Sequence, residues 1–132
     1  MTSLPVGSAL LAVFLGAGIG SCLRYALGQT LNHLLPQIPL GTLAANLIGG
    51  YLVGVVMAFF AWRTDLSLLW RLALMTGFLG GLTTFSTFSA EVVNAATRGE
   101  LGWACLIAAS HLAGSLLLTV LGVATVRLLA TP

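Results

Sequence analysis

Four long runs of the chain contain no Asp, Glu, Lys or Arg side chain, and they cover residues 1–23, 25–62, 72–90 and 101–126. A transmembrane helix needs about 20 predominantly apolar residues to cross the hydrocarbon core of a bilayer. Pro36 and Pro39 interrupt the second run and predict a loop there, because proline ends helices. The pattern therefore predicts four transmembrane helices, at residues 5–31, 40–62, 70–96 and 101–128.

The composition supports this assignment. The chain has 132 residues, of which 58% are hydrophobic and 6% are charged, and its mean hydropathy is +1.06. Soluble domains carry about 25% charged residues, so this chain cannot cover itself with a soluble surface. We expect an all-α integral membrane protein, with residues 1–132 forming a single four-helix transmembrane domain. The amino-terminal segment has no basic residue before its apolar run, so we expect a retained first span and not a signal peptide.

The third run contains the segment GFLGGLTTFSTFSAE at residues 77–91, which is unusual for a membrane helix. Gly80 and Gly81 favour non-helical backbone, and five hydroxyl side chains follow between residues 83 and 89. Backbone groups freed at membrane depth must be satisfied by protein, water or an ion. We expect the third helix to be broken near its middle, so that carbonyls hold a cation and a new helix amino terminus faces an anion. The alternative is a kink relieved by Ser and Thr bonding back to the helix.

Three side chains near this segment are candidates for anion binding. Phe85 and Phe88 share a helix face, and the positive edge of a phenyl ring attracts a small dehydrated anion. The ordinary alternative is a pair of core or lipid-facing rings. Asn46 is the one amide in the second span, and its NH₂ group donates either to an anion or to another helix.

Ionisable groups also fall within the predicted spans. Arg24 lies near the end of the first span, where it either snorkels to the interface or raises the anion concentration at a pore mouth. Glu91 is the one acid inside a span, and it either carries protons or pairs with an arginine. His111 lies in the fourth span beside Ser110 and Ser115, where helix packing is its default role. Donors and ring edges outnumber carboxylates at this depth, which favours anion chemistry.

The charges of the chain come mainly from five arginines, and its net charge of +2 is too small and scattered for nucleic-acid binding. Four spans place both termini and the 63–71 loop on one side of the membrane, with Arg63, Arg71 and Arg127. Arg24 and Arg98 lie on the other side. Three against two is a weak bias under the positive-inside rule. Either the insertion machinery reads a subtler signal, or the protein inserts in both orientations, in which case two opposite copies would pair as an antiparallel homodimer.

Small residues recur at the spacing G-x-x-x-G in three of the predicted spans. This spacing lets two helix backbones approach closely. It fits contacts within one subunit and a seam between subunits equally well. The pairs are Gly16 and Gly20, Gly50 and Gly54, and Gly77 and Gly81.

The segments GFLGGLTTFSTFSAE and GTLAANLIGG, with Arg24 ahead of them and four short spans, resemble the CrcB/Fluc family of fluoride channels. The resemblance covers essentially the whole chain and implies a dual-topology homodimer with two pores that export fluoride passively across the inner (plasma) membrane. It implies a structural sodium ion at the dimer centre, bound by the carbonyls of Gly80 and Thr83. His111 stands where the family leads us to expect a hydroxyl. The implied pore residues are Asn46, Thr84, Phe85, Ser86, Thr87, Phe88, Ser110 and Ser115, with Thr83 at the helix break, Arg24 near the vestibule and Glu91 further along the third helix.

Two other functional classes remain open on the residues alone. A small proton-coupled four-span transporter would use Glu91, although such exporters need an acid early in the chain and the first two spans have none. A non-transporting assembly protein would explain the small-residue spacing but not the run of hydroxyls. No nucleophile–base pair or metal cluster is visible in the sequence, so an enzyme is not expected.

Overall fold

Four helical spans build the chain in the computed structural model, which describes residues 4–130. The first is helix α1 (Val6–Leu31) and the second is helix α2 (Leu40–Trp62). The third covers Leu68–Thr97 and the fourth covers Leu101–Ala130, and all four are long and apolar enough to cross a membrane. The four predicted spans are therefore confirmed, with ends that differ from the prediction by at most two residues.

The third span is discontinuous, as predicted. It begins as helix α3 (Leu68–Arg71), continues as a π-helical segment (Leu72–Leu79) and adds a single turn, α4 (Gly80–Leu82). After two residues in extended conformation it resumes as helix α5 (Phe85–Thr97). The fourth span is one uninterrupted helix, α6 (Leu101–Ala130). The break falls near the middle of the third span, where the surrounding bilayer offers the backbone no water.

The position of the break differs from the expected one. Gly80 has helical dihedral angles (φ −64°, ψ −35°), whereas Thr83 (ψ 153°) and Thr84 (φ −150°, ψ 121°) are extended. The two glycines therefore do not open the helix, and the threonines that follow them do. Gly81 is required for another reason, because a Cβ there would collide with the backbone carbonyl of Ala17 on α1.

The small-residue pairs lie at contacts between spans of the same chain. A Cβ on Gly16 or Gly20 would meet the backbone of the third span, and one on Gly77 or Gly81 would meet the backbone of α1. The pair on α2 lies against the backbone of α6 in the same way. Close backbone approach within one subunit thus accounts for all three G-x-x-x-G spacings.

A buried apolar cluster lies on each side of the break. Ala45 of α2 meets Leu79 and Leu82, which precede the break. A second cluster contains Phe88 and Ala95 of α5 and Ile107 of α6. Both ends of the interrupted span are therefore anchored by packing, which fixes where the two extended residues sit between them.

Two short loops carry paired charges. Arg63 donates from Nε and Nη2 to the carboxylate of Asp65 at 2.8 Å in both cases, and these hydrogen bonds lower the pKa of Asp65 to about 2. Arg98 pairs with Glu100 at 2.9 Å across the turn between α5 and α6. That turn needs Gly99, whose φ of 79° is left-handed. Among the described residues, the acids of both loops are therefore neutralised locally.

We predict that Gly20→Ala destabilises the fold and that Gly18→Ala does not. A Cβ on Gly20 would meet the carbonyl oxygen of Phe78 and the amide nitrogen of Leu82, whereas one on Gly18 has no neighbour within 4 Å. Overpacking of this kind costs about 1–3 kcal/mol. Thermal unfolding of the two purified variants in detergent measures the difference. Equal melting temperatures would contradict the assigned contact between α1 and the third span.

Candidate functional site

The break in the third span is held by the side chain of Asn46 on α2. The backbone N–H of Thr84 donates to Asn46 Oδ1 at 2.8 Å, and Asn46 Nδ2 donates to the carbonyl of Thr84 at 3.0 Å. The amide thus satisfies both backbone groups of one extended residue, as a neighbouring strand would. An unpaired N–H or C=O at this depth would be costly, so Asn46 is what makes the break tolerable.

The preceding carbonyls have different partners. The carbonyl of Leu79 accepts from both the N–H and the hydroxyl of Thr83, at 3.0 and 2.8 Å. The carbonyl of Gly81 accepts from Arg24 Nε at 3.0 Å and from Ser21 Oγ at 3.5 Å. In a continuous helix the carbonyl of Gly80 would receive the N–H of Thr84, but that N–H is used by Asn46. The Gly80 carbonyl has therefore lost its helical donor.

Thr84 also caps the amino terminus of α5. Its hydroxyl oxygen accepts from the N–H of Thr87 at 3.2 Å and its hydroxyl lies 3.0 Å from that of Thr87. Ser86 Oγ lies 3.4 Å from the same oxygen. The N–H groups of Phe85 and Ser86 are in the first turn and have no partner within the helix. The positive end of α5 therefore carries a cluster of hydroxyls and unbonded backbone donors.

The two predicted rings meet edge to face. The centroids of Phe85 and Phe88 are 5.4 Å apart and their planes are inclined by 69°. Phe85 is 73% exposed and Phe88 is 6% exposed. On its other side Phe88 stacks on the imidazole of His111, with centroids 4.7 Å apart and planes inclined by 22°. The edge of one ring is thus available while the second ring is fixed by its neighbours.

Two cavities flank the break. One, which we call the phenylalanine cavity, has a volume of about 320 Å³ and is lined by Asn46, Thr84, Phe85, Phe88, His111 and Ser115 among others. The other, the arginine cavity, has a volume of about 580 Å³ and is lined by residues that include Arg24, Tyr25, His33, Thr42, Thr84 and Thr87. Thr84 lines both. The predicted vestibule arginine and the predicted rings therefore lie on opposite sides of one residue of the break.

Asn46 has no amide hydrogen to spare in this conformation. One Nδ2 hydrogen is directed at the carbonyl of Thr84 and Nδ2 also lies 3.0 Å from Nδ1 of His111. Of the two roles open to Asn46 from the sequence, contact with another helix is the one that the geometry displays. The free donors of the site are the hydroxyls and the backbone N–H groups at the start of α5.

The remaining predicted residues divide into two groups. Ser115 lines the phenylalanine cavity, whereas Ser110 donates back to the carbonyl of Ile107 on its own helix at 3.0 Å and lines neither cavity. Glu91 is half-buried and accepts from the hydroxyl of Thr42 at 2.6 Å. Its second oxygen, Oε2, has no partner among the described residues.

Sequence reasoning missed Thr42 and Thr119. Thr119 donates to the carbonyl of Gly50 on α2 at 2.9 Å, one turn beyond Ser115 on α6. The spacing of Ser115 and Thr119 was a usable signal, because residues four apart share a helix face. The partner of Glu91 carried no comparable signal, since Thr42 and Glu91 are 49 positions apart.

Backbone oxygens at the break are the candidate ligands for a cation. The described residues contain no group of three His, Cys, Asp or Glu side chains that would hold a metal ion. The carbonyl of Gly80, which has lost its helical donor, is the kind of oxygen that hard cations such as sodium prefer. Thr83 is extended, so its carbonyl also leaves the helical direction. The two residues assigned to sodium therefore fit that ion in chemistry.

The fold and the site together define a small multi-pass membrane protein built around a discontinuous helix, a class in which ion and substrate sites lie at the break. Residues 11–123 match the family model described as "CrcB-like protein, Camphor Resistance (CrcB)". The chain belongs to this family.

Curated relatives extend the match over nearly the full length. "Fluoride-specific ion channel FluC" of Burkholderia thailandensis is 55% identical over 123 residues, which are 93% of this chain and 96% of the relative. The protein of the same name from Burkholderia pseudomallei strain 668 shows the same identity and coverage. That of Burkholderia cenocepacia is 56% identical over 118 residues, or 89% of this chain and 92% of the relative.

We predict that Asn46→Leu exposes the Thr84 amide and that Asn32→Leu leaves it protected. Leucine at position 46 removes the acceptor for the Thr84 N–H, whereas Asn32 accepts from the N–H of Gly41, away from the break. Losing a buried hydrogen bond costs about 1–3 kcal/mol, which corresponds to at least about fivefold faster exchange. Hydrogen–deuterium exchange of residues 83–85 in detergent measures it. Unchanged exchange in Asn46→Leu would show that the break does not depend on this side chain.

Proposed function

We propose that this chain forms a fluoride-selective channel that exports fluoride passively across the inner (plasma) membrane and protects the cell from fluoride toxicity. The observation that carries the proposal is the edge-to-face pair of Phe85 and Phe88 at the hydroxyl-capped amino terminus of α5. This cluster offers partial positive charge without a fixed cation. The family membership and the name of the relatives point to the same ion.

Fluoride is small and strongly hydrated, so a pathway through the bilayer must replace its water at close range. The first-turn N–H groups of α5 supply donors and the positive end of the helix. The hydroxyls of Ser86, Thr87 and Ser115 supply further donors, and the Phe85 and Phe88 edges supply polarised C–H groups. None of these groups carries a full charge, which lets the ion leave as readily as it enters.

In this proposal fluoride enters through the arginine cavity and then reaches the phenylalanine cavity. The arginine cavity contains the guanidinium of Arg24, which concentrates anions at the entrance. The phenylalanine cavity lies beyond Thr84, where the rings and hydroxyls take over. Since Arg24 donates from Nε to the carbonyl of Gly81, it is held in place and cannot follow the ion inward.

The working unit in this proposal is an antiparallel homodimer. Phe85 is 73% exposed in the single chain although it belongs to the site, and α1 presents a face of exposed large side chains that includes Leu10, Phe14 and Leu15. A second copy would cover the open side of the phenylalanine cavity. The near balance of arginines on the two sides supports insertion in both orientations.

Sodium is the proposed structural ion of this dimer. The Gly80 and Thr83 carbonyls would bind it, because Gly80 is exposed on the chain surface and its carbonyl has lost the Thr84 donor. The bound ion would supply a fixed positive charge that holds the break and ties two subunits together. By fixing the backbone at the break, the same ion would also hold Thr84 and its partner Asn46 in position beside the anion path.

The first prediction tests the channel itself. Purified protein in liposomes, with valinomycin to clamp the potential, should release fluoride rapidly and retain chloride, as read by ion-selective electrodes. Phe85→Ile should lower fluoride release by about fivefold, because it removes a ring edge whose contact is worth about 1 kcal/mol. Phe59→Ile is the matched control, since Phe59 is also an exposed ring in an edge-to-face pair, with Phe60, and lines neither cavity. Absence of fluoride release from folded wild-type protein would refute the proposal.

The second prediction tests the assembly. Single-molecule photobleaching of labelled protein in liposomes should show two copies per particle. Replacing sodium by a large organic cation should lower fluoride release. A site made of carbonyl oxygens binds an ion whose size fits between them, and it cannot bind a much larger ion. Monomers that conduct at the full rate would contradict the dimer, and full conduction after complete sodium removal would contradict the structural ion.

A further inference from the structure

His111 lies about one third of the way along α6 and is 3% exposed. Its ring stacks on Phe88, and its Nδ1 atom lies 3.0 Å from Nδ2 of Asn46. It therefore contacts both the ring that shapes the phenylalanine cavity and the amide that holds the break. The sequence alone predicts that His111 contributes to helix packing, and it predicts no role for this residue in anion movement.

The hydrogen bonds of Asn46 fix the protonation state of this histidine. Asn46 Oδ1 accepts the backbone N–H of Thr84, so the side-chain amide cannot be flipped. The NH₂ group is then the part that faces His111, and two donors cannot meet at 3.0 Å. Nδ1 must be an acceptor, and the ring must be neutral with its proton on Nε2. Nε2 is buried and has no hydrogen-bond partner among the described residues.

We propose that His111 is a proton-sensitive positioning residue, whose neutral ring locks Asn46 against Thr84 and whose protonation releases that lock and lowers conduction. This inference rests on the proposed fluoride channel. A proton added at Nδ1 replaces the acceptor by a charged donor pointed at the Asn46 NH₂ group. Asn46 must then rotate away from His111, and the rotation withdraws Oδ1 and Nδ2 from the backbone of Thr84. The residue that separates the two cavities loses its support.

Few other titratable groups face His111. Asn46, its neighbour on α2, does not titrate, and Tyr51 of α2 is hydrogen-bonded to Thr125, about four turns along α6. On α5 the titratable side chain is Glu91, which accepts from Thr42. On α6 itself Cys105 is exposed. Glu91 is therefore the one neighbouring group whose titration has to be separated from that of His111.

Two amide substitutions separate the role of each ring nitrogen. In His111→Asn the side-chain oxygen falls near the position of Nδ1, so it still accepts from Asn46 and cannot be protonated. In His111→Gln the amide falls near Nε2, one bond further out, and the lock on Asn46 is lost. A packing role predicts similar behaviour for both variants, whereas the lock predicts that only Asn substitutes for His.

The experiment measures fluoride efflux from liposomes between about pH 8 and pH 5, the range in which imidazole titrates. Efflux from protein-free liposomes is subtracted at each pH, because neutral hydrogen fluoride crosses lipid. Wild-type efflux is expected to fall by about fivefold or more on acidification. His111→Asn is expected to conduct at a pH-independent rate, and His111→Gln slowly at every pH. Glu91→Gln is the control for the neighbouring acid, and His33→Asn removes the other histidine, which lines the arginine cavity; both variants should keep the acid response.

An acid response that persists in His111→Asn, or one that disappears in Glu91→Gln, would overturn the proposal. So would wild-type conduction that does not change with pH. A second measurement does not depend on flux: the ¹⁵N shifts of the His111 ring should identify the Nε2–H tautomer near pH 8, and the opposite tautomer would refute the lock. If wild-type protein releases no fluoride at any pH, the channel proposal fails, while the tautomer still decides whether His111 holds Asn46.

Discussion

The structure depends on one pair of hydrogen bonds, those between the side chain of Asn46 and the backbone of Thr84. A membrane helix is stable because it satisfies its own backbone, and an interruption forfeits that property. Here a single amide on the neighbouring span bonds both backbone groups of Thr84. The consequences are an extended residue at membrane depth, a fresh helix amino terminus and a carbonyl without its donor. Each of these is a polar feature that lipid would otherwise forbid.

The remaining elements keep this arrangement in register. Glycines bring α1 against the third span and α2 against α6, so that backbone meets backbone. Rigid contacts of this kind have no flexible side chain to absorb a shift. Arg24 adds a polar tie between α1 and the turn before the break. The geometry of the site is therefore set by all four spans at once, and only α5 contributes its phenyl rings.

The sequence predicted the spans to within two residues, because uncharged length is a direct requirement of the bilayer. It predicted the break but placed it at Gly80 and Gly81, since glycine was taken as a source of conformational freedom when Gly81 is needed for close approach. Asn46 was found, but its engagement with Thr84 and His111 depends on partners 38 and 65 positions away. Ser110 and Ser115 were equal candidates until the rotation of α6 directed Ser110 to its own backbone.

Thr84 lines both cavities, caps α5 with its hydroxyl and gives its backbone to Asn46. Because Thr84 is a wall of both cavities, neither cavity can change shape alone. A larger side chain at position 84 would narrow the arginine cavity and the phenylalanine cavity together, and a smaller one would join them. Substitutions in such a protein are therefore expected at the other residues that line each cavity, while the residue at position 84 keeps the size of a threonine.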